Sequence, residues 1–156
     1  MNITLICVGK LKERFWVDAC AEYTKRLKAY VKLNAVEVAD FDPNKLGGQA
    51  QVLEREGNLI IQAIPQDAYV VLLAIEGKLV SSEDLAYTLD SCALSGKSNV
   101  AFIIGGSFGV GKQVYTRANE KISLGRITLP HNLARVVVLE QLYRACKINK
   151  GEPYHK

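Results

Sequence analysis

Ala68-Tyr-Val-Val-Leu-Leu-Ala-Ile75 is the longest uninterrupted apolar run in the chain, and its reading decides the fold. It is far short of the ~20 residues that a helix needs to cross a bilayer. It is also too short and too β-branched for a buried helix, so it reads as a central strand covered on both faces and ended by Glu76-Gly77. Downstream, Ser81 with Asp84 three residues later marks a capping-box start for a helix running to about Leu94, closed by Ser95-Gly96. Asn99 to Ile104 is a second fully apolar strand, which runs into Gly105-Gly-Ser-Phe-Gly-Val-Gly111. A short helix from Lys112 to Asn119, a strand around Ile122 to Leu124 and a long helix from about Asn132 to Asn149 follow.

Upstream, Ile3 to Val8 reads as a buried strand ending at Gly9. Between Arg14 and Tyr30, the residues Trp16, Ala19, Tyr23, Leu27 and Tyr30 recur at helical spacing and define one apolar stripe, which reads as core or subunit contact. A short strand from Leu33 to Val38, a turn at Asp42-Pro43-Asn44 and a helix from about Gln49 to Ala63 lead back to the central run, with Gly47-Gly48 loosening the start of that helix. Strands alternating with helices predict an α/β fold with a mostly parallel sheet and helices on both faces. In such a fold ligands bind at the carboxyl ends of the strands. Three of those ends are conspicuous: Glu76-Gly77-Lys78, Gly105 to Gly111, and Gly125 to Pro130. If they converge, they make one pocket.

A length of 156 residues fits a single domain, 1–156. Apolar residues at 49% and charged residues at 23% exclude the disordered and fibrous classes. Residues 1–96 carry 10 Lys/Arg against 13 Asp/Glu, and residues 97–156 carry 10 against 3. A polyanion is therefore steered towards the second part, although a basic face by itself is more often just solvated. Cys7, Cys20, Cys92 and Cys146 form no C-x-x-C pair and have no nearby histidine, so they read as buried free thiols in a reducing compartment and not as a metal site. No signal peptide is legible. The expectation is a soluble, cytoplasmic protein without a membrane segment.

Gly106-Ser-Phe-Gly-Val-Gly111-Lys112 matches the first part of the phosphate-binding pattern G-x-x-x-x-G-K. The match fails at Gln113, where a Ser or Thr hydroxyl would hold magnesium, and the loop lies late in the chain. Glu76 at the end of an apolar strand could imitate a phosphohydrolase carboxylate, which keeps that minority reading open. The dinucleotide fingerprint G-x-G-x-x-G is absent. Four glycines in seven residues exceed what one turn needs, which favours close approach of the backbone to a ligand. His131, at the start of the last helix, reads by itself as a surface residue. The helix end disfavours its protonated form, which suits a neutral hydrogen-bond partner or base. The tail Gly151-Glu-Pro-Tyr-His-Lys156 reads either as a frayed terminus or as an aromatic ring beside a histidine and a lysine that stack on an unpaired base and grip its backbone.

Taken together, Leu72-Leu-Ala-Ile-Glu-Gly-Lys78, Ile104-Gly-Gly-Ser-Phe-Gly109, Ser123-Leu-Gly-Arg-Ile-Thr-Leu-Pro-His131 and Gln141-Leu-Tyr-Arg-Ala145, with the terminal Pro-Tyr-His-Lys156, resemble the RlmH family of large-subunit ribosomal RNA methyltransferases over essentially the whole chain. The resemblance implies a SPOUT (α/β-knot) fold with a C-terminal trefoil knot and an obligate homodimer. It also implies S-adenosylmethionine bound at Leu73, Gly105, Leu124, Gly125, Arg126, Ile127, Thr128 and Leu129, with no metal. A methionine is common in that family where this chain has Ile127. The implied reaction is methylation of N3 of a pseudouridine in a hairpin loop of 23S ribosomal RNA on the assembled ribosome. His131 and His155 are the implied candidates for removing the imino proton. Tyr154 would stack on the base, and Arg144 and Lys156 would hold phosphate or base, with Tyr154 placed in its own or the other subunit's pocket.

Overall fold

A computed structural model describes residues 1–154. His155 and Lys156, both candidates for the site, lie outside the described residues. Five strands, β1 (Asn2–Val8), β2 (Lys32–Val38), β3 (Tyr69–Leu79), β4 (Asn99–Ile104) and β5 (Glu120–Ser123), form one sheet in the order β2-β1-β4-β3-β5. Every pairing is parallel, as the strand-helix alternation predicts. The helices are α1 (Arg14–Leu27), α2 (Pro43–Leu46), α3 (Gln49–Ala63), α4 (Ser82–Leu94), α5 (Lys112–Arg117) and α6 (His131–Asn149).

Side chains alternate across a strand, and here both alternating sets are apolar because both faces are covered. Ile3, Leu5 and Cys7 of β1 and Val100, Phe102 and Ile104 of β4 pack against α1, α4 and α6. Ile6, Val8, Ala101 and Ile103 face Ile60 of α3 and Val114 of α5. The α1 stripe divides: Tyr23, Leu27 and Tyr30 join the core beside α6, whereas Trp16 stacks on the exposed Phe15 with ring centroids 4.9 Å apart. All four cysteines are free and buried. Burial pushes the Cys7 thiol up to about 12 and the Cys146 thiol up to about 11, so neither is a nucleophile at neutral pH.

The capping box of α4 is formed in both directions, Asp84 N–H to the Ser81 hydroxyl at 3.1 Å and Ser81 N–H to the Asp84 carboxylate at 2.8 Å. Two expectations need correction. Asp42-Pro43-Asn44 opens a short helix and not a bare turn, with the Asp42 carboxylate capping the Asn44 amide. The central strand does not stop at Glu76-Gly77. It shifts register after Leu73 and resumes beside β5 at Lys78 and Leu79. Gly77 permits this, since a Cβ there would lie 2.7 Å from the backbone of Ile122. Among the described residues no helix is long and apolar enough to cross a membrane.

Candidate functional site

The register shift of β3 and the carboxyl ends of β4 and β5 open into a cavity of about 560 Å³, within the size range of small-molecule sites. The three loops expected to converge do so. Leu73 to Glu76 form one side, Gly105 to Val110 a second, and Leu124, Gly125 and the stretch from Ile127 to His131 a third. Lys78 and Arg126 do not line it. Most of the wall is apolar, with Leu73, Ile75, Phe108, Leu124 and Leu129 facing the space.

The glycine loop leaves β4 as a tight hairpin. Gly106 N–H donates to the Gly109 carbonyl at 3.2 Å, and Gly109 N–H returns to the Gly106 carbonyl at 3.0 Å. Those two amides are satisfied and do not cradle a phosphate, which removes support from the nucleotide reading. Gln113, where that reading needs a hydroxyl, instead donates from its side-chain amide to the Glu54 carbonyl at 3.2 Å. Packing within the protein also requires the first two glycines of the loop. A Cβ at Gly105 would meet the Gly109 carbonyl oxygen at 2.6 Å, and one at Gly106 would meet Glu56 Oε2 at 2.9 Å and Val8 Cγ1 at 3.1 Å. The nearest claims on that space come from the protein's own atoms.

Glu56 and Gly57, both on α3, were missed in the sequence. Glu56 is 5% exposed and is the one buried carboxylate among the described residues. A Cβ at Gly57 would fall 2.2 Å from Gln113 Nε2, so this glycine makes room for the side chain that anchors the far end of the loop. A signal was present. Glycine inside a helix costs about 1 kcal/mol relative to alanine and needs a packing reason, and Glu56 stands between Val52 and Ile60 on the buried face.

The loop after β5 is built differently. The buried Ser123 hydroxyl donates to the Gly125 carbonyl at 2.7 Å and accepts from Gly125 N–H at 3.3 Å. Beyond it, residues 126–129 make no hydrogen bond with any described residue. Arg126, Ile127 and Thr128 are exposed. At its end His131 is the first residue of α6, exposed at the cavity edge. One turn further, the buried Arg135 donates to the Gly9 carbonyl at 2.9 Å and pairs with Glu37, tying this end of α6 to β1.

Arg144 and Tyr154 lie elsewhere. The Tyr154 hydroxyl donates to Glu140 at 3.1 Å, its ring stands edge-on to Tyr143 at 4.9 Å, and the Arg144 guanidinium lies 4.7 Å from its ring centre. Arg144 also pairs with Glu140 at 2.6 Å. Glu152 accepts from the Tyr30 hydroxyl at 2.6 Å and pairs with Lys147, so the chain through Tyr154 is docked on α6 and on the turn that follows α1, and is not frayed. Burial and the Glu140 charge hold the Tyr154 phenol above its ordinary range. Glu140 is nine residues along α6 from His131, about 14 Å at 1.5 Å per residue. Neither Arg144 nor Tyr154 lines the cavity of its own chain. No group of three His, Cys, Asp or Glu is placed to hold a metal ion among the described residues.

A family profile described as "Predicted SPOUT methyltransferase" matches residues 1–155. The chain is 53% identical over 159 aligned positions to a Listeria monocytogenes protein named "Ribosomal RNA large subunit methyltransferase H", with all of both chains covered. It is 52% identical to the protein of that name from Bacillus pumilus and 49% identical to that from Clostridium novyi, again over the full length of each. Among solved structures, a probable methylase family protein from Haemophilus influenzae aligns with a TM-score of 0.54 at 13% identity, covering 99% of this chain and 70% of the other. A putative methylase family protein from Neisseria gonorrhoeae gives 0.54 at 16%, covering 99% and 86%. At these identities the structural matches speak for the fold alone.

Proposed function

The chain belongs to the SPOUT methyltransferase family, and from that premise we propose that it methylates large-subunit ribosomal RNA, taking S-adenosylmethionine in the cavity at the register shift of β3 and the ends of β4 and β5. One observation carries the placement. Leu73 of β3, Gly105, and Leu124, Gly125 and the stretch from Ile127 to His131 come from three separate segments, yet they meet on one mostly apolar cavity, and residues 126–129 beside it hold backbone donors and acceptors not spent within the described chain. Those groups suit the edge of an adenine ring, and the walls at Leu73, Leu124 and Leu129 suit its faces. Arg126, exposed and outside the cavity lining, takes part through its backbone. The C-terminal trefoil knot that the family resemblance implies belongs to this proposal.

The bound donor supplies an electrophilic methyl group; orientation and proton handling fall to the chain. The target is N3 of a pseudouridine in a hairpin loop of 23S RNA on the assembled ribosome. Its imino proton leaves to a histidine, with His131 at the cavity edge and His155 beyond Tyr154 as the two candidates. Tyr154 offers a ring to the base, while Arg144 and Lys156 offer cations to the backbone. Because Tyr154 is docked far from its own cavity, its proposed place is the pocket of a second subunit in a homodimer. The exposed apolar side chains of Ile75, Leu79, Phe108 and Ile127 supply a surface for that contact.

Labelled methyl transfer to ribosomes from a strain lacking the enzyme, followed by mapping of the modified nucleotide, tests the reaction. A label on N3 of one large-subunit pseudouridine is expected, and no label on ribosomes or free RNA overturns the reading. The subunit question has its own test, mixing a Gly105→Val subunit with a Tyr154→Ala subunit. Activity recovered in the mixture places the tail in the partner's pocket, whereas none places it in its own.

A further inference from the structure

Glu56 sits where a carboxylate needs a reason. It occupies the buried face of α3, between Val52 and Ile60, and burying an ionisable group is costly unless something else is gained. Oε1 accepts the Phe41 amide, from the chain leaving β2, at 3.3 Å. Oε2 lies against the back of Gly106, close enough that a Cβ there would be 2.9 Å away. One side chain therefore touches the exits of β2 and β4, and the second of these is a wall of the cavity. The far end of the same loop rests on the same stretch of α3, through Gln113 against Gly57 and the Glu54 carbonyl.

From this geometry we infer that Glu56 is a positioning residue for the methyl-donor pocket, setting from behind the place of Gly106 and hence the course of the Gly105–Gly109 hairpin. It touches no ligand. It rests on the donor-site reading above and deepens it, because the wall that a donor would meet is held by a residue on the opposite side of the loop. The contact is steric and polar: the carboxyl group fills the space behind Gly106, and its other oxygen is fixed by the Phe41 amide. Glutamine has the same shape and keeps an oxygen for that amide. Alanine empties the space and leaves the amide without its acceptor. Asp40 is the other charged group acting on this carboxyl, and it raises the carboxyl's proton affinity in the same sense as burial does.

A double-mutant cycle on donor affinity tests the assignment, using calorimetry with S-adenosylmethionine on the full-length protein. Glu56→Ala should weaken donor binding about tenfold, and Glu56→Gln should restore it to within about twofold of wild type. Gly106→Ala should weaken binding about tenfold in the wild-type background, through the clash with Oε2, but distinctly less in Glu56→Ala, where that clash is relieved and only the 3.1 Å approach to Val8 Cγ1 remains. A role in overall stability alone would make the two substitutions additive, and additive losses overturn the inference, as does wild-type affinity in Glu56→Ala. Thermal melting identifies any variant that has failed to fold, in which case Glu56→Asp, too short to reach Gly106, replaces Glu56→Ala in the cycle. If the wild-type protein binds no donor, the functional reading has failed; if it binds and the cycle is additive, only the Glu56 assignment has.

Discussion

The hairpin Gly105–Val110 spends its backbone hydrogen bonds on itself and is backed by α3, whereas across the cavity residues 126–129 make none with the described chain and expose Ile127 to 75%. Both loops follow strands whose last residues are buried and both contain glycine, but one is a finished wall and the other is hydrogen-bonded only at its ends, by Ser123 and by the first turn of α6. A pocket assembled this way divides its labour. The first loop contributes shape that exists before a ligand arrives, and the second contributes polar groups that a ligand can claim.

The comparison is broken most directly at Gly105. Gly105→Val places side-chain atoms on the Gly109 carbonyl and Val110, so the wall must shift. We expect loss of measurable donor binding in calorimetry together with about 1–3 kcal/mol of stability in denaturant unfolding, the usual cost of overpacking. Wild-type affinity and stability would show that the wall is not rigid. Gly125→Ala probes the second loop, where φ is +149° but nothing lies within 4 Å of a new Cβ. Its cost is backbone strain of about 1 kcal/mol, a melting-point drop of roughly 2–4 °C for a chain of this size. A drop as large as that of Gly105→Val would erase the distinction between the loops.

Ile127→Ala sharpens the contrast further. Because the side chain is exposed, stability should stay within about 0.5 kcal/mol, while donor affinity falls by several-fold if the side chain covers the bound ligand. Unchanged affinity would move the ligand away from this loop. The smallest effect belongs to the support behind the wall. Burial, with Asp40 adding to it and the Phe41 amide opposing, raises the Glu56 carboxyl above its ordinary value. The folded state thus holds this proton over a pH window in which the unfolded chain has released it, so stability falls as pH rises through that window. Glutamine cannot titrate, so Glu56→Gln should gain on wild type as pH is raised from the ordinary carboxylate range to neutrality. A melting-point difference independent of pH would contradict that assignment.

Much of the architecture was legible because it rests on local rules. Runs of strand length located β1, β2 and β4 to within a residue, and Ser81 with Asp84 located the start of α4. The continuation of β3 past Glu76 was not legible, since it depends on β5 offering a partner to Lys78 and Leu79. The converging loops could be named, because strand ends in a parallel sheet share one edge. What they would meet could not. The glycines at 105 and 106 were visible as a demand for space, but what claims that space, the hairpin's own carbonyl and a carboxylate from α3, lies about 50 residues away in the second case.

The amino-acid sequence by itself determined the α/β class, the parallel alternation and, through its resemblance to a family, the chemistry to look for, because periodicity and motif order are properties of neighbours along the chain. Only the tertiary structure decided that Leu73, Gly105, Leu124, Gly125 and Ile127 to His131 face one cavity, that Tyr154 is docked on Glu140, Tyr143 and Arg144 away from it, and that Glu56 stands behind the glycine hairpin. Those are relations between residues far apart in sequence, and packing creates them when the sheet brings its strand ends to a common edge.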